Sequence, residues 1–117
     1  MGSPYDLEER TAVFGEKCII LCKSLPQTLV LRPLVLQLVR SATSIGANYM
    51  EANGASSKKD FRNKIHICKK ETQETKHWLR MLKVAESSKE GELAILWREA
   101  QELALIFNKI TSSLKER

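Results

Sequence analysis

The stretch KKDFRNKIHICKKETQETKHWLRMLKVAE, residues 58–86, decides the fold. Its apolar and small side chains Phe61, Ile65, Cys68, Thr72, Thr75, Leu79 and Leu82 recur at steps of three and four. That is the period of a helix with one buried face, and no stretch alternates with the period of two that a strand requires. At about 1.5 Å per residue such a helix runs roughly 40 Å. A helix of this length with a single apolar stripe needs neighbours to cover it.

The same spacing recurs on both sides. Upstream stand Leu7, Thr11, Phe14, Cys18, Leu21 and Leu25, then Val35, Leu38, Ala42, Ile45, Tyr49 and Ala52; downstream stand Leu93, Leu96, Ala100, Leu103, Phe107, Ile110 and Leu114. Three breaks separate the segments: Ser24 to Pro33, Asn53 to Ser57, and Ser87 to Gly91. Short connections between amphipathic helices predict an all-α, antiparallel up-down four-helix bundle. The expected helices cover about 6–24, 33–53, 58–86 and 92–115 of one domain spanning 1–117.

End signals support these bounds. Asp6 with Glu9 three residues on has an N-cap and capping-box pattern. Pro33 suits a first helical turn. Gly54 stands where a C-cap would use positive φ. Gly46 lies among Ser41, Ala42, Ser44 and Ala47. A mid-helix glycine costs about 1 kcal/mol relative to alanine, so a close helix–helix approach is expected there.

The 117 residues are 43% hydrophobic and 28% charged, with 5 Gly and 3 Pro, which excludes a disordered, collagen-like or turn-rich all-β chain. There is no apolar run of the length that spans a membrane. No charged-then-apolar leader is seen, so no secretory signal is expected. Three cysteines, Cys18, Cys22 and Cys68, lack a disulfide-framework spacing and fit a reducing, cytoplasmic setting.

One stripe per helix leaves apolar residues over: Val13, Ile19 and Ile20; Leu29-Val30-Leu31; Ile67, Trp78 and Met81; Ile95, Leu105 and Ile106. Either the stripes are wide, or the chain self-associates to cover an apolar surface. A homo-oligomer is expected.

The formal net charge is +5. Residues 58–83 hold nine basic against three acidic side chains, hence +6, and the other ten basic against eleven acidic give −1. The order matters more than the total. Lys59, Arg62, His66, Lys69, Gln73, Lys76, Arg80 and Lys83 follow steps of three and four without a carboxylate. They form one strip roughly 36 Å long, beside the apolar stripe. Such a strip can neutralise phosphates and release counterions, with Trp78 and the two histidines available to stack on bases. Two other readings remain: pairing with acidic residues of helix four such as Glu99 and Glu102, and plain solvation.

Reactive chemistry is thinly represented. Glu74-Thr75-Lys76-His77 is a single E-x-x-H, where carboxylate-bridged metal bundles need two plus further glutamates. Cys18 and Cys22 are one turn apart, but a tetrahedral site needs four ligands. Phosphate-loop, nucleophile-elbow and H-E-x-x-H motifs are lacking. No catalytic residue, metal or cofactor is expected. Helix two carries a polar stripe of Gln37, Ser41, Ser44, Asn48 and Glu51. Asn48 and Glu51 are expected to bond a neighbouring helix, with Lys58 or Arg62 as the partner of Glu51; the other reading is a solvent face.

The string LVRSATSIGAN, residues 38–48, with Glu51 following, resembles the signature of the bacterial four-helix bundle proteins encoded in 23S rRNA intervening sequences. Asp60-Phe61 through Ile65, then Glu71, Glu74-Thr75 and Trp78-Leu79, resemble the same family. The resemblance covers nearly the whole chain. It implies a small helical bundle that assembles as a five-membered ring, a largely unassigned role, and a link to RNA through the setting of the genes. It also implies a likeness in fold to the accessory protein of diversity-generating retroelements, a basic pentamer associated with a reverse transcriptase and nucleic acid. Tyr49 to Gly54 replaces a shorter A-E-G ending common among relatives. Arg40, Ser44, Asn48 and Glu51 are the polar positions of the signature. The joint expectation is a non-enzymatic, homo-oligomeric RNA-binding protein using the helix-three strip. The rival is a scaffold for a partner enzyme that does not touch nucleic acid.

Overall fold

The computed structural model describes residues 6–115 and contains four α-helices: α1 (Leu7–Lys23), α2 (Leu31–Asn53), α3 (Lys58–Ala85) and α4 (Glu90–Lys115). Among the described residues there is no strand. A single 3₁₀ turn, Ser87–Lys89, joins α3 to α4. Each helix packs on the next in sequence, and α4 closes against α1 over a smaller contact. Cross-helix contacts run in opposite order along consecutive helices. Arg40 meets Glu74 while Glu51 meets Lys64, and Gly15 faces Ala42 while Gly46 faces Thr11. The bundle is therefore antiparallel and up-down.

Capping fixes where the helices begin. The Asp6 side chain accepts from the Glu9 N–H at 3.2 Å, and the Ser57 hydroxyl accepts from the Asp60 N–H at 3.0 Å. Helix α2 starts two residues before the expected Pro33. The Thr28 hydroxyl accepts from the Leu31 N–H at 3.1 Å, and the Thr28 carbonyl from Arg32 at 3.0 Å. Pro33 is thus the third helical residue, still within the turn whose N–H groups lack intrahelical partners. Helix α4 starts at Glu90 rather than 92, because the 3₁₀ turn leads straight into it. Gly54 caps α2 with φ −95°, so the expected left-handed cap is not formed. The Gly54 and Ala55 N–H groups instead tighten the last turn onto the Glu51 and Ala52 carbonyls.

The stripes read from the sequence line the core. Phe14, Leu38, Ile45, Ile65, Leu79, Leu82, Leu103 and Phe107 are essentially inaccessible to solvent. Full burial of such side chains contributes about 1.5–3 kcal/mol each. Val35, Tyr49, Phe61 and Ile110 are half-buried at the margins. The buried hydroxyls are satisfied locally: Thr11 donates to the Leu7 carbonyl at 2.6 Å and Thr72 to the Cys68 carbonyl at 2.7 Å. Thr75 bonds the Ser41 hydroxyl across α2–α3 at 2.9 Å. The surplus apolar residues divide. Leu31 is buried, and Val13, Trp78, Met81 and Ile106 are half-buried, as wide stripes require. Ile20, Leu29, Val30, Ile95 and Leu105 are exposed.

The close approach expected at Gly46 lies between α1 and α2. A Cβ on Gly46 would stand 3.3 Å from the Thr11 hydroxyl oxygen and 3.4 Å from the Thr11 carbonyl carbon. Across the same seam, a Cβ on Gly15 would stand 3.5 Å from the Ala42 carbonyl oxygen. Gly46→Val adds branched bulk against backbone that cannot rotate away. It is expected to destabilise by about 1–3 kcal/mol, the usual cost of overpacking. The readout is a lower urea midpoint at unchanged slope; wild-type stability would show that α1 can step aside freely.

Candidate nucleic-acid interface

Helix α3 divides its surface into three lanes. The core lane is flanked on the α2 side by Lys64, Glu71, Glu74 and Trp78, and on the α4 side by the basic strip. The α2 flank is neutralised. Arg40 pairs with Glu71 at 3.4 Å and also with Glu74. The Arg40 guanidinium holds the Glu74 carboxyl below the usual carboxylate range. Lys64 donates to Glu51 at 2.7 Å, which raises the Lys64 ammonium above its ordinary value.

Glu51 therefore reaches α3 as expected, but its partner is Lys64 rather than Lys58 or Arg62. Residues two apart on a helix diverge by about 200°, which sends Lys64 towards α2 and Arg62 towards α4. Asn48 does not bond a neighbouring helix; its amide donates to the Ser44 carbonyl at 2.8 Å. Ser44 in turn donates to the Arg40 carbonyl at 2.6 Å, within α2. Of the four signature positions, Arg40 and Glu51 tie α2 to α3, while Ser44 and Asn48 bond their own helix.

The strip on the α4 flank is open. Lys59, His66, Arg80 and Lys83 are exposed, and Arg62, Lys69 and Lys76 are half-buried. None of these seven forms an ion pair among the described residues. The acids expected to neutralise them are committed elsewhere. Arg10 of α1 takes Glu99 at 2.8 Å and Glu102 at 2.7 Å, which raises the Arg10 value further. Pairing between the strip and Glu99 or Glu102 is thus not formed, because those carboxylates lie on the opposite flank of α4.

Two grooves flank the strip where α3 meets α4. One, about 200 Å³, is lined by Lys58, Lys59, Arg62 and Leu114. The other, about 570 Å³, lies between the end of α3 and the start of α4 and is bordered by Arg80, Lys83, Trp97 and Arg98. Between them Lys76 donates to Gln101 and lies over the Trp97 ring, 4.8 Å from its centre. The aromatic on this seam is Trp97, a residue that sequence reasoning missed. Trp78 sits on the α2 side instead, with its indole N–H 3.4 Å from Glu74 and its ring edge-on to His77. Only His66 of the three expected stacking groups stays with the strip. The 94, 97, 98, 101 spacing on α4 was readable, but not which flank faces α3.

The remaining reactive groups are occupied or sealed. Glu74 of the E-x-x-H is held by Arg40, and His77 is exposed. Cys18, Cys22 and Cys68 are buried and free. Burial pushes the Cys18 and Cys68 thiols up to about 12 and Cys22 to about 11, so all three stay protonated near neutrality. Among the described residues no cluster of three or more metal-ligating side chains converges. Among the described residues no helix is long and apolar enough to cross a membrane.

These features define an all-α bundle with one neutralised seam and one cationic seam. The chain belongs to the 23S rRNA-intervening sequence protein family, whose model matches residues 6–109. It is similar to a crystal structure of a protein of unknown function from the S23 ribosomal protein family of Bacteroides thetaiotaomicron. The two are 30% identical with a TM-score of 0.78, over 90% of this chain and 97% of that one. No match was found among curated proteins.

The Arg40–Glu74 pair gives a pH prediction. The folded-state value of Glu74 is depressed, so its contribution is full above the unfolded carboxylate value. It is lost as pH falls through the folded one. The stability advantage of wild type over Glu74→Gln is expected to be present at pH 7 and to fade below about pH 4. For so exposed a pair it should stay within about 1 kcal/mol. Urea titrations at both pH values read it; an advantage unchanged in acid would show that Arg40 does not act through the Glu74 charge.

Proposed function

We propose that this protein is a non-enzymatic, homo-oligomeric RNA-binding protein whose contact surface is the α3–α4 seam. The observation that carries this reading is the run of cations along α3 that forms no ion pair among the described residues, while Glu71 and Glu74 of the same helix pair with Arg40 on the other flank. Lys59, Arg62, Lys69, Arg80 and Lys83 would contact phosphate, with His66 secondary and Lys76 held against Trp97. Phosphate contacts of this kind position a nucleic acid without reading its sequence. Membership in a family named for 23S rRNA intervening sequences supports RNA as the polyanion.

The test is a titration of a structured ribosomal RNA fragment against wild type and Lys69→Glu/Arg80→Glu/Lys83→Glu. Affinity is expected to fall steeply with salt, and the variant to lose binding with a shallower salt slope, by roughly 0.7–0.9 per contact removed. Binding that ignores both salt and the variant would favour the rival, a protein-interaction scaffold. Self-association rests on the exposed Ile20, Leu29, Val30, Leu36, Ile95 and Leu105. Light scattering of the purified protein is expected to give a multiple of 13.3 kDa, five-fold on the family resemblance. A monomer at micromolar concentration would overturn the oligomer.

A further inference from the structure

We infer that the cavity beside Trp97 is a site for one unpaired nucleotide of a bound RNA, its base stacked on the indole and its phosphates held by Arg80, Lys83 and Arg98. This rests on the RNA-binding reading above and says which form of RNA the seam prefers. Four observations meet at this place. The cavity measures about 570 Å³, within the roughly 300–1,000 Å³ range of small-molecule sites. Trp97 borders it with 38% of its surface exposed, although the indole is a side chain that gains much from burial. Three cations line it from both helices, Arg80 and Lys83 on α3 and Arg98 on α4, and none forms an ion pair among the described residues. No carboxylate lines it.

The local sequence explains why the space is open. Ala94 precedes Trp97 by three residues and so stands one turn away on the same face of α4. Its methyl leaves that turn unfilled, and Leu79 and Leu93 floor the cavity with apolar surface. The ring is also held in place. Lys76 donates to Gln101 and lies over the indole, but it does not line the cavity, so the ring keeps its remaining surface for a ligand. An aromatic platform ringed by cations is the chemistry that recognises a base together with its phosphates. Duplex RNA cannot use it, because paired bases are stacked on one another and the A-form major groove is too narrow for side chains to enter. The cavity therefore selects loops, bulges and ends.

The test uses Trp78→Phe protein, in which Trp97 is the single tryptophan. It is titrated with a short unpaired RNA, the same strand made abasic, a blunt duplex, and adenosine monophosphate, while anisotropy of labelled strands reports binding separately. Quenching of Trp97 by the unpaired RNA is expected, with little from the duplex or the abasic strand at equal occupancy. Trp97→Leu should weaken unpaired RNA roughly 5- to 150-fold, the loss that one base–aromatic stack carries. It should leave the duplex nearly unchanged, and Trp97→Phe should recover most of the loss. Salt-sensitive binding of all strands without quenching, and without an effect of Trp97→Leu, would overturn the nucleotide site while leaving the strip intact. No binding of any strand would remove both. Equal quenching by the mononucleotide at the same concentration would overturn the assignment to RNA. Should Trp97→Leu fail to fold, quenching in the Trp78→Phe protein decides alone.

Discussion

Everything in this bundle hangs on the buried lane of α3. Ile65, Cys68, Thr72, Thr75, Leu79 and Leu82 are all shielded from solvent along one face of a 28-residue helix. Once that lane is fixed between α2 and α4, the two flanking lanes have no freedom left. One must face α2 and the other α4. The carboxylates Glu71 and Glu74 go to the first, where Arg40 waits, together with Lys64, which meets Glu51; the strip's cations go to the second, where α4 offers Gln101 and Trp97 and no paired acid among the described residues. The charge layout is thus a consequence of the apolar register. A one-residue change in that register would turn every flank by about 100°.

Magnitudes show which interactions hold the fold. Each fully buried aliphatic or aromatic side chain supplies about 1.5–3 kcal/mol, whereas an exposed ion pair supplies about 0–1 kcal/mol. Arg40–Glu71/Glu74, Lys64–Glu51 and Arg10–Glu99/Glu102 all lie at or near the surface. They follow from the apolar register and add little to how tightly the core closes. The α1–α2 seam works by another means. Gly15 and Gly46 let the α1 and α2 backbones approach, with the Thr11 hydroxyl beside Gly46 and the Thr43 methyl beside Gly15, so dispersion contacts there depend on fit to within tenths of an ångström.

The helices and their buried faces were legible because a 3–4 spacing needs nothing but the chain itself. The Gly46 approach was legible for the same reason, since a mid-helix glycine asks for a cause. What could not be read was anything that depends on which flank meets which neighbour. The first two turns of α3 offer Glu51 four cations, Lys58, Lys59, Arg62 and Lys64, and only the three-dimensional register selects Lys64 over the expected Lys58 or Arg62. Glu99 and Glu102 looked available to the strip until Arg10, 89 and 92 residues away in sequence, claimed them. Trp97 shares a helix face with Ala94, Arg98 and Gln101, but that spacing does not say which flank of α4 meets α3. The helix starts shifted by two residues because Thr28 and a 3₁₀ turn cap them, and single hydroxyls or short turns leave little trace in an apolar pattern.

The unpaired seam has an energetic meaning. Successive cations on one helix face repel each other with similar small penalties to those by which opposite charges attract, and Lys59 to Lys83 stacks seven basic or imidazole groups with no ion-pair partner among the described residues. At a Debye length of about 8 Å in physiological salt, neighbours one turn apart remain within each other's field. Within the lane only Lys76 ties α3 to α4, through Gln101 and the Trp97 ring, among the described residues. The same helix shows how cheaply it could be relieved, since its other flank pairs Arg40 with two glutamates. A cationic lane that is kept dry of carboxylates, runs roughly 36 Å, and ends at an exposed indole concentrates positive potential where a polyanion would lie. The lane therefore carries an electrostatic cost that the apolar register of the bundle does not itself require.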